Sequence, residues 1–391
     1  METRGRKRKR DMEMGNAFFE LSDDLLVEII SRVPFKSTRC CKCVCRRWRD
    51  VVSHPDHRNK LPRSTLAGFF YKTDNLCCRA MNRHYKSVTG NWCPRIDPSL
   101  SFLPKYRLCD VDIDMLDCCN GLLLCRRQQQ RYATDYGTTD YVVCNPATKR
   151  WVSVPGTVMS REVLVARLGF DPVVSSHFHV FEFAPAPEHV SMRLCVHART
   201  QPLGIYSSKA GVWTHPSNWK CPIKIDRYSS STFFRGLLYF SSRADKVVAV
   251  DMEGNCRVIN IPSTAHGSCI ARDVFVSRGQ LQFAISSASE LSIWALEDPS
   301  STENWTLKHN VSRLKLFADE NSSNYHVIVH PEYKVILVVR TRFPSTYRSW
   351  TELMSYNMDS RELRSLSDLG HDCKRPYLPY VPLFSRSLAD G

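Results

Sequence analysis

The chain is 391 residues long, 43% hydrophobic and 24% charged, a globular composition that excludes a collagenous or wholly disordered polymer. Its 54 Lys and Arg against 39 Asp and Glu leave a net charge of +15, and no stretch approaches the ~20 apolar residues of a membrane span. At about 150 residues per domain the length suits two to three domains, or one large β domain with a small appendage. The 17 cysteines are an odd number with no secretory signal ahead of them, so reduced thiols are expected. In a reducing compartment the acceptor patterns at Asn304, Asn310 and Asn321 stay bare.

Residues 1–17 read as a polar arm. Arg4, Arg6, Lys7, Arg8, Lys9 and Arg10 gather positive charge in a run that repels itself and stays solvated. The run suits a nuclear import signal carried by Arg6, Lys7, Arg8, Lys9 and Arg10, giving an expected location in the nucleus, the cytoplasm or both. The remaining positive charge is spread along the chain without an interleaved aromatic stripe, so nucleic acid is not the expected partner.

Residues 18–60 carry helical periodicity. Ser22 suits an N-cap, and Asp23 and Asp24 then sit at the positive end of the helix dipole. Leu25, Leu26, Ile29, Ile30 and Val33 read as one apolar stripe. Pro34 stops that helix. Ser37 is placed to cap a second one, and Cys41, Val44, Cys45, Trp48 and Val52 then repeat the period, giving two or three short helices. A unit of ~40 residues is near the size at which a lone core fails, so another protein is expected to complete the stripe. Residues 54–64, with Pro55 and Pro62 and no apolar period, read as a linker.

The segment LSDDLLVEIISRVPFKSTRCCKCVCRRWRDVVSHP, residues 21–55, resembles an F-box. The likeness lies in Leu21, Asp24, Leu25, Leu26, Ile29, Ile30, Arg32, Val33, Pro34, Lys36, Ser37, Val44, Cys45, Trp48 and the closing Ser53, His54 and Pro55. It implies a helical hook that binds a Skp-type adaptor, and through it a cullin-RING ubiquitin ligase. The implied contact set is Leu21, Leu25, Leu26, Ile29, Ile30, Val33, Pro34, Cys41, Val44, Cys45 and Trp48. Pro34 and the leucines of the first helix lead that set, whereas Val44 and Trp48 lean toward internal packing. Two positions depart from the family: Ser22 stands where proline is usual, and Thr38, Arg39 and Cys40 stand where Leu-Leu-Arg is usual.

Near residue 65 the period changes from helical to alternating, and strand signals follow every 8–12 residues. A longer unit also repeats. NGLLLC at 120–125, FRGLLYF at 234–240, SRGQLQF at 277–283 and YKVILV at 333–338 each read as a turn and an inner strand, followed by a middle and an outer strand. The outer strands fall at Trp151, Trp213, Val258, Trp305 and Leu363, spaced by 62, 45, 47 and 58 residues. A four-stranded propeller blade takes about 40–50 residues. The expected fold is therefore a small all-α module followed, over residues 61–391, by a β-propeller of about six blades, with seven also compatible. The segment beginning at Tyr377 is expected to complete the blade begun at Leu66 and so close the ring. The recurring tryptophans are expected to pack between blades. CNGLLLC at 119–125, CNPATKRW at 144–151 and LGFDP at 168–172 are similar to the F-box-associated, kelch-like or propeller-like region of plant F-box proteins. With the F-box, the resemblance covers nearly the whole chain. The double glycine of kelch repeats and the Trp-Asp of WD repeats are absent.

No phosphate loop, HExxH or G-x-S-x-G occurs, and no spacing singles out a catalytic triad. His177 and His179 fit one strand face but are expected as hydrogen-bonded or solvated histidines. Cys40, Cys43, His54 and His57 imitate a zinc finger with a short middle and a histidine gap of only two residues, too tight for one tetrahedral metal. The pairs Cys77–Cys78 and Cys118–Cys119 read as packed thiols. No cofactor or metal is expected. The sequence points to a non-catalytic adaptor that joins a substrate protein to a ligase. The alternative is a ubiquitin-independent nuclear scaffold that binds acidic partners or nucleic acid through its arm. Specificity is expected in loops at 128–139, 207–209, 243–246 and 344–349.

Overall fold

The computed structural model divides between Ser64 and Thr65 into two compact units. The described residues are 21–384 without 34, 58–59, 62–64, 75–80, 90–95, 104–111, 129–138, 158–159, 161–162, 164, 185–200, 226–228, 243–245, 263–268, 288, 299–303, 318–323 and 344–348, together with residue 388. The basic arm, Pro34 and the Cys77–Cys78 pair lie outside them.

The first unit holds α1 (Asp23–Ser31), α2 (Phe35–Cys41), α3 (Arg46–Ser53) and a 3-10 turn at Pro55–His57. Ser22 caps α1, its Oγ accepting from the Leu25 N–H at 3.4 Å, and so starts the helix without the family's proline. One helical expectation is corrected: Ser37 lies inside α2, which begins at Phe35, so it does not cap that helix. The run from Cys41 to Val52 spans the end of the second and most of the third of the two or three short helices expected. It breaks at residues 42–44, and Cys45 (φ −158°) caps α3, its Sγ accepting from the Trp48 N–H at 3.5 Å. Leu26, Val27, Ile30, Val51, Val52 and Leu61 form the core, with Val33, Cys41 and Trp48 packed against it.

In the second unit β1 (Gly68–Asp74) and β2 (Met81–Ser87) come first. Blade I follows with β3 (Asp112–Cys119), β4 (Leu122–Gln128), β5 (Thr139–Asn145) and β6 (Arg150–Val154). Blade II is β7 (Val165–Gly169), β8 (His179–Phe183), β9 (Leu203–Ser207) and β10 (Val212–Thr214). Blade III is β11 (Ser231–Phe234), β12 (Leu237–Ser241), β13 (Lys246–Val250) and β14 (Cys256–Asn260). Blade IV is β15 (Cys269–Ser277), β16 (Gln280–Ser287), β17 (Glu290–Leu296) and β18 (Trp305–Ser312), with the short α4 (Arg313–Phe317) behind it. Blade V is β19 (Asn324–Val329), β20 (Val335–Arg342), β21 (Trp350–Asn357) and β22 (Leu363–His371). The last strand, β23 (Cys373–Tyr380), pairs antiparallel with β1, Gly68 opposite Tyr380 and Phe70 opposite Leu378, so blade VI is β23-β1-β2.

Successive side chains of a strand point to opposite faces. Each blade therefore feeds two cores: Tyr239 of β12 enters one and its neighbours Leu238 and Phe240 enter the other. Tyr141 and Val143 meet Phe178 and Tyr206 between blades I and II. Phe183 meets Phe240 edge-on at 5.0 Å between II and III. Tyr239 and Ala249 meet Phe283 between III and IV, and Ile293 meets Val338 and Tyr356 between IV and V. Val339 and Leu353 meet Phe69 and Tyr71 between V and VI, and Phe70 and Tyr380 meet Leu123 and Val142 between VI and I. Every neighbouring pair shares a core, so the six blades close into a ring.

The residues read from sequence as outer strands do lie on the outermost strands β6, β10, β14, β18 and β22. The repeat itself is offset by one strand. The strand after each turn is the second of its blade, and the innermost strand precedes the turn. Trp213 and Trp305 pack between blades, each indole donating at 2.7 Å to a carbonyl of the preceding blade's outer edge, Pro155 and Asn260 respectively. Trp151 departs from that expectation and is 39% exposed.

Candidate functional site

In the helical unit α1 presents two apolar rows. Leu26, Val27 and Ile30 turn inward, while Leu25 and Ile29, four residues apart on another face, are 54% and 42% exposed. The single stripe read from the sequence is thus two rows, because α1 is short and its core needs only one side of it. Val44, read as leaning inward, sits in the turn before α3 and is 62% exposed. Leu21, Val33, Cys41, Cys45 and Trp48 are half-buried. Thr38, where the family carries leucine, is buried. Arg47 ties the start of α3 to the start of α1: its Nε and Nη2 reach Asp23 Oδ1 at 2.9 and 2.8 Å, and it also donates to the Leu21 carbonyl. The Arg47 and Asp23 side chains are 34% and 58% exposed, so the pair contributes under about 1 kcal/mol and serves mainly to orient the two helix starts.

In the propeller, strand direction alternates outward through each blade. The first-to-second and third-to-fourth turns therefore share one end of the ring, the hairpin end, and the second-to-third loops and blade-to-blade links share the other. The four candidate specificity loops do not lie together. Those at 128–139, 243–246 and 344–349 belong to the link end, with only their flanks among the described residues, whereas Ser207 and Lys209 belong to the hairpin end. The hairpin end carries a feature the repeat reading passed over. Its tight turns place Asn120, Arg235 and Arg278 at φ 46°, 50° and 52°, each followed by a glycine also at positive φ. That pairing is the type I′ hairpin signature. Arg235 and Arg278, with Lys149, Arg150, Lys209 and Arg361 on other hairpin-end turns, are exposed cations, and among the described residues none has an ion-pair partner.

The described residues contain no group of three or more side chains that could hold a metal. The His54 and His57 rings lie 5.0 Å apart, tilted by 40°, with Cys40 and Cys43 exposed earlier in the chain, and His57 Nδ1 lies 2.9 Å from the Val51 carbonyl. His179 begins β8 and His177 precedes it, so only one of the two lies on the strand; burial lowers the His179 pKa. Cys118 and Cys119 are packed thiols, raised by burial and by Asp117. The buried Glu182 carboxylate accepts from Ser160 Oγ and, at 3.1 Å, from Thr157 Oγ1, a polar network inside blade II.

Comparison with known proteins decides the family. The F-box domain profile matches residues 18–60, and the profile described as F-box protein At3g26010-like, beta-propeller matches residues 93–370. The chain belongs to this family of F-box propeller proteins. Among similar proteins of Arabidopsis thaliana, F-box protein At5g07610 is 25% identical over 313 residues, covering 74% of this chain and 70% of that protein. F-box protein At5g03970 is 23% identical over 355 residues, covering 85% and 75%. A solved putative 6-phosphogluconolactonase from Bacteroides uniformis aligns with a TM-score of 0.37 at 9% identity, covering 79% of this chain and 83% of that one, too distant to bear on function. In this F-box propeller protein the matched F-box holds both rows of α1, and the matched propeller spans blades I to V.

Proposed function

We propose that the chain is the substrate-recognition subunit of an SCF-type ubiquitin ligase. The F-box binds a Skp-type adaptor, and the propeller holds a substrate protein. The observation that carries this reading is the outward row Leu25 and Ile29, on a unit whose own core is only a few side chains deep. Burying a fully exposed aliphatic side chain gains about 1.5–3 kcal/mol, so Leu25 and Ile29, each already about half covered, gain roughly half of that when a partner covers the rest. Leu21, Val33, Cys41, Val44 and Trp48 border or brace the hook. The chain itself contributes no chemistry. It holds a substrate lysine near the charged ubiquitin carrier, which raises its effective concentration. The exposed cations of the hairpin end suit a substrate surface of net negative charge. The arm at Arg6, Lys7, Arg8, Lys9 and Arg10 fits a nuclear address, tested by the location of a fluorescent fusion with and without residues 4–10.

Co-purification with the host's Skp-type adaptors tests the main reading. The parent chain is expected to retain adaptor, and Leu25→Asp with Ile29→Asp is expected to lose it while the propeller stays folded. No adaptor on the parent chain overturns the proposal.

A further inference from the structure

An outer strand gives the tryptophan of the next blade a surface to lie on. Trp213 lies opposite Tyr206, Trp305 opposite Leu296 and Trp151 opposite Cys144. Side chains paired across two strands share a face of the sheet. Tyr206, Leu296 and Cys144 all belong to the core shared with the preceding blade, so all three indoles face that blade. Trp213 and Trp305 find its outer edge there, donating to the carbonyls of Pro155, just past β6, and Asn260, at the end of β14. For Trp151 the preceding blade is VI. Blades I to V have four strands each, but among the described residues blade VI has three, β23, β1 and β2. Trp151 thus faces the place of a fourth strand, and it is exposed.

The described chain beyond β2 does not turn outward to take that place. The Val88 N–H donates to the Ala67 carbonyl at 2.9 Å, which draws the chain back against β1, and Ile96, Leu100 and Leu103 then pack into the VI–I core. The Tyr85 ring is engaged in the same core, 5.0 Å from Phe70. We propose that blade VI is completed from outside: an extended, acidic segment of a partner protein adds antiparallel to β2 as its fourth strand and covers Trp151. The third and fourth strands of every other blade pair antiparallel, which sets the direction. β2 spans seven residues, and a segment of that length fits it.

Strand addition draws affinity from main-chain hydrogen bonds and selectivity from the side chains on either face. On the face toward blade I the added strand meets the Trp151 indole. The ring takes an aliphatic side chain, and its N–H is offered to a main-chain carbonyl, as in Trp213 and Trp305. Lys86 lies on the other face with His84, whose ring stacks on Tyr71 at 5.0 Å on the side of blade V. Charge selects the rest. β2 and β6, which frame the slot, carry Arg83, Lys86 and Arg150 and no acidic residue. Among the described residues none of these three cations has a carboxylate partner. The segment that fits therefore alternates aliphatic side chains toward Trp151 with carboxylates toward Lys86. This deepens the substrate-holding reading, and rests on it only for the partner's role as substrate.

The probe is a fluorescent peptide of about nine residues that alternates valine with glutamate, added to the full chain and followed by anisotropy and hydrogen exchange. A version with lysine for glutamate and one with a central proline, which cannot complete the ladder, are the controls. The acidic peptide is expected to bind and to slow exchange at the β2 amides that face away from β1. Trp151→Ala and Lys86→Glu are each expected to weaken it on the order of tenfold, and Lys86→Glu should favour the lysine peptide instead. Should Trp151→Ala fail to fold, Lys86→Glu and the exchange pattern of the parent decide. Several results overturn the proposal. They are no binding, binding without protection in β2, and equal binding to the parent and both variants. Protection of those amides in the free chain at low concentration would show the edge filled by this chain itself. Protection that grows with protein concentration would show a second copy there. Adaptor retention is scored separately: peptide binding by a chain that retains no adaptor supports the slot and counts against the ligase reading.

Discussion

Leu25 and Leu26 are neighbours in the chain, but the first is 54% exposed and the second fully buried. Their substitutions should therefore separate binding from folding. Leu25→Asp is expected to change the melting temperature little, since exposed sites away from special features stay within about 0.5 kcal/mol, while adaptor retention falls. Leu26→Ala is expected to cost about 2–5 kcal/mol and melt the helical unit, seen as lost helical signal in circular dichroism. Equal loss of helix in both variants would sink the two-row description. His330 gives a pH-dependent case. Its Nδ1 accepts from the Glu332 and Tyr333 N–H groups at 3.1 Å each, and its ring packs against Tyr333 at 4.6 Å with a 45° tilt, so the neutral ring holds the β19–β20 turn. Burial lowers its pKa from 6.5 to about 4. The folded state thus resists a proton that the unfolded chain accepts. The stabilisation is complete above about pH 6.5 and is lost as pH falls toward about 4. His84, His179 and His309 are lowered in the same direction, chiefly by burial, so the parent's melting temperature should drop across this window, and His330→Asn should drop less. An identical pH slope in the variant would remove His330 from the account.

At the level of elements, the type I′ turns of the hairpin end differ in what surrounds them. Gly279 has φ +72° and open space where a Cβ would go. Gly121 has φ +88°, and a Cβ there would meet Leu383 Cβ at 2.5 Å and the Val381 carbonyl at 2.7 Å, because the chain after β23 crosses this turn. The Asn145 side chain holds the same crossing segment by donating to the Leu383 carbonyl at 2.9 Å. Gly279→Ala is expected to cost only the strain of a left-handed residue, about 1 kcal/mol, whereas Gly121→Ala must also displace the crossing segment. Urea titration should place the Gly121→Ala midpoint clearly below that of Gly279→Ala; equal midpoints would argue that the crossing is not a firm contact. These turns also show how far the sequence was legible. The strands after them, such as LLLC at 122–125 and LLYF at 237–240, are solid apolar runs because both faces are buried between blades, and such runs stand out. The innermost strands are harder to see. DIDMLDCC in β3 mixes carboxylates into the pattern, with Asp117 Oδ2 accepting from the Leu168 N–H of blade II at 2.8 Å and Asp114 paired to Lys72. Polar work inside the ring thus disguises a strand as a loop, and the repeat is read one strand late. In the helical unit the apolar period located α1, but periodicity does not distinguish an inward Leu26 from an outward Leu25 when both lie near the same stripe. A cysteine serving as the cap of α3 has no sequence signature either.

For the molecule as a whole, stability of the propeller depends on a contact between its two ends. β23 is the innermost strand of blade VI, supplies Leu378 and Tyr380 to the VI–I core and Cys373 to the V–VI core, and pairs with β1 along its length. Without it Phe69, Phe70 and Tyr71 of β1 lose partners, and β1 and β3 face one another across a gap. Leu378 and Tyr380 together account for roughly 3–6 kcal/mol of apolar burial, comparable to a large share of the 5–15 kcal/mol that holds a typical domain together. A chain ending at His371 is therefore expected to lose cooperative melting and to bind a hydrophobic dye. The antiparallel register supplies the complementary experiment. Tyr380 lies opposite Gly68, so the end of β23 stands beside the start of β1, and a short turn could join them as a hairpin. Placing residues 373–380 directly ahead of β1 in the truncated chain should restore the sheet β23-β1-β2 and the cooperative transition. The melting temperature should stay below the parent's, because Leu383 would no longer cross Gly121. Cooperative melting of the plain truncation at the parent's temperature would show that five blades and a two-stranded remnant suffice. Failure of the rearranged chain to recover would show that β23 contributes more than its pairing with β1.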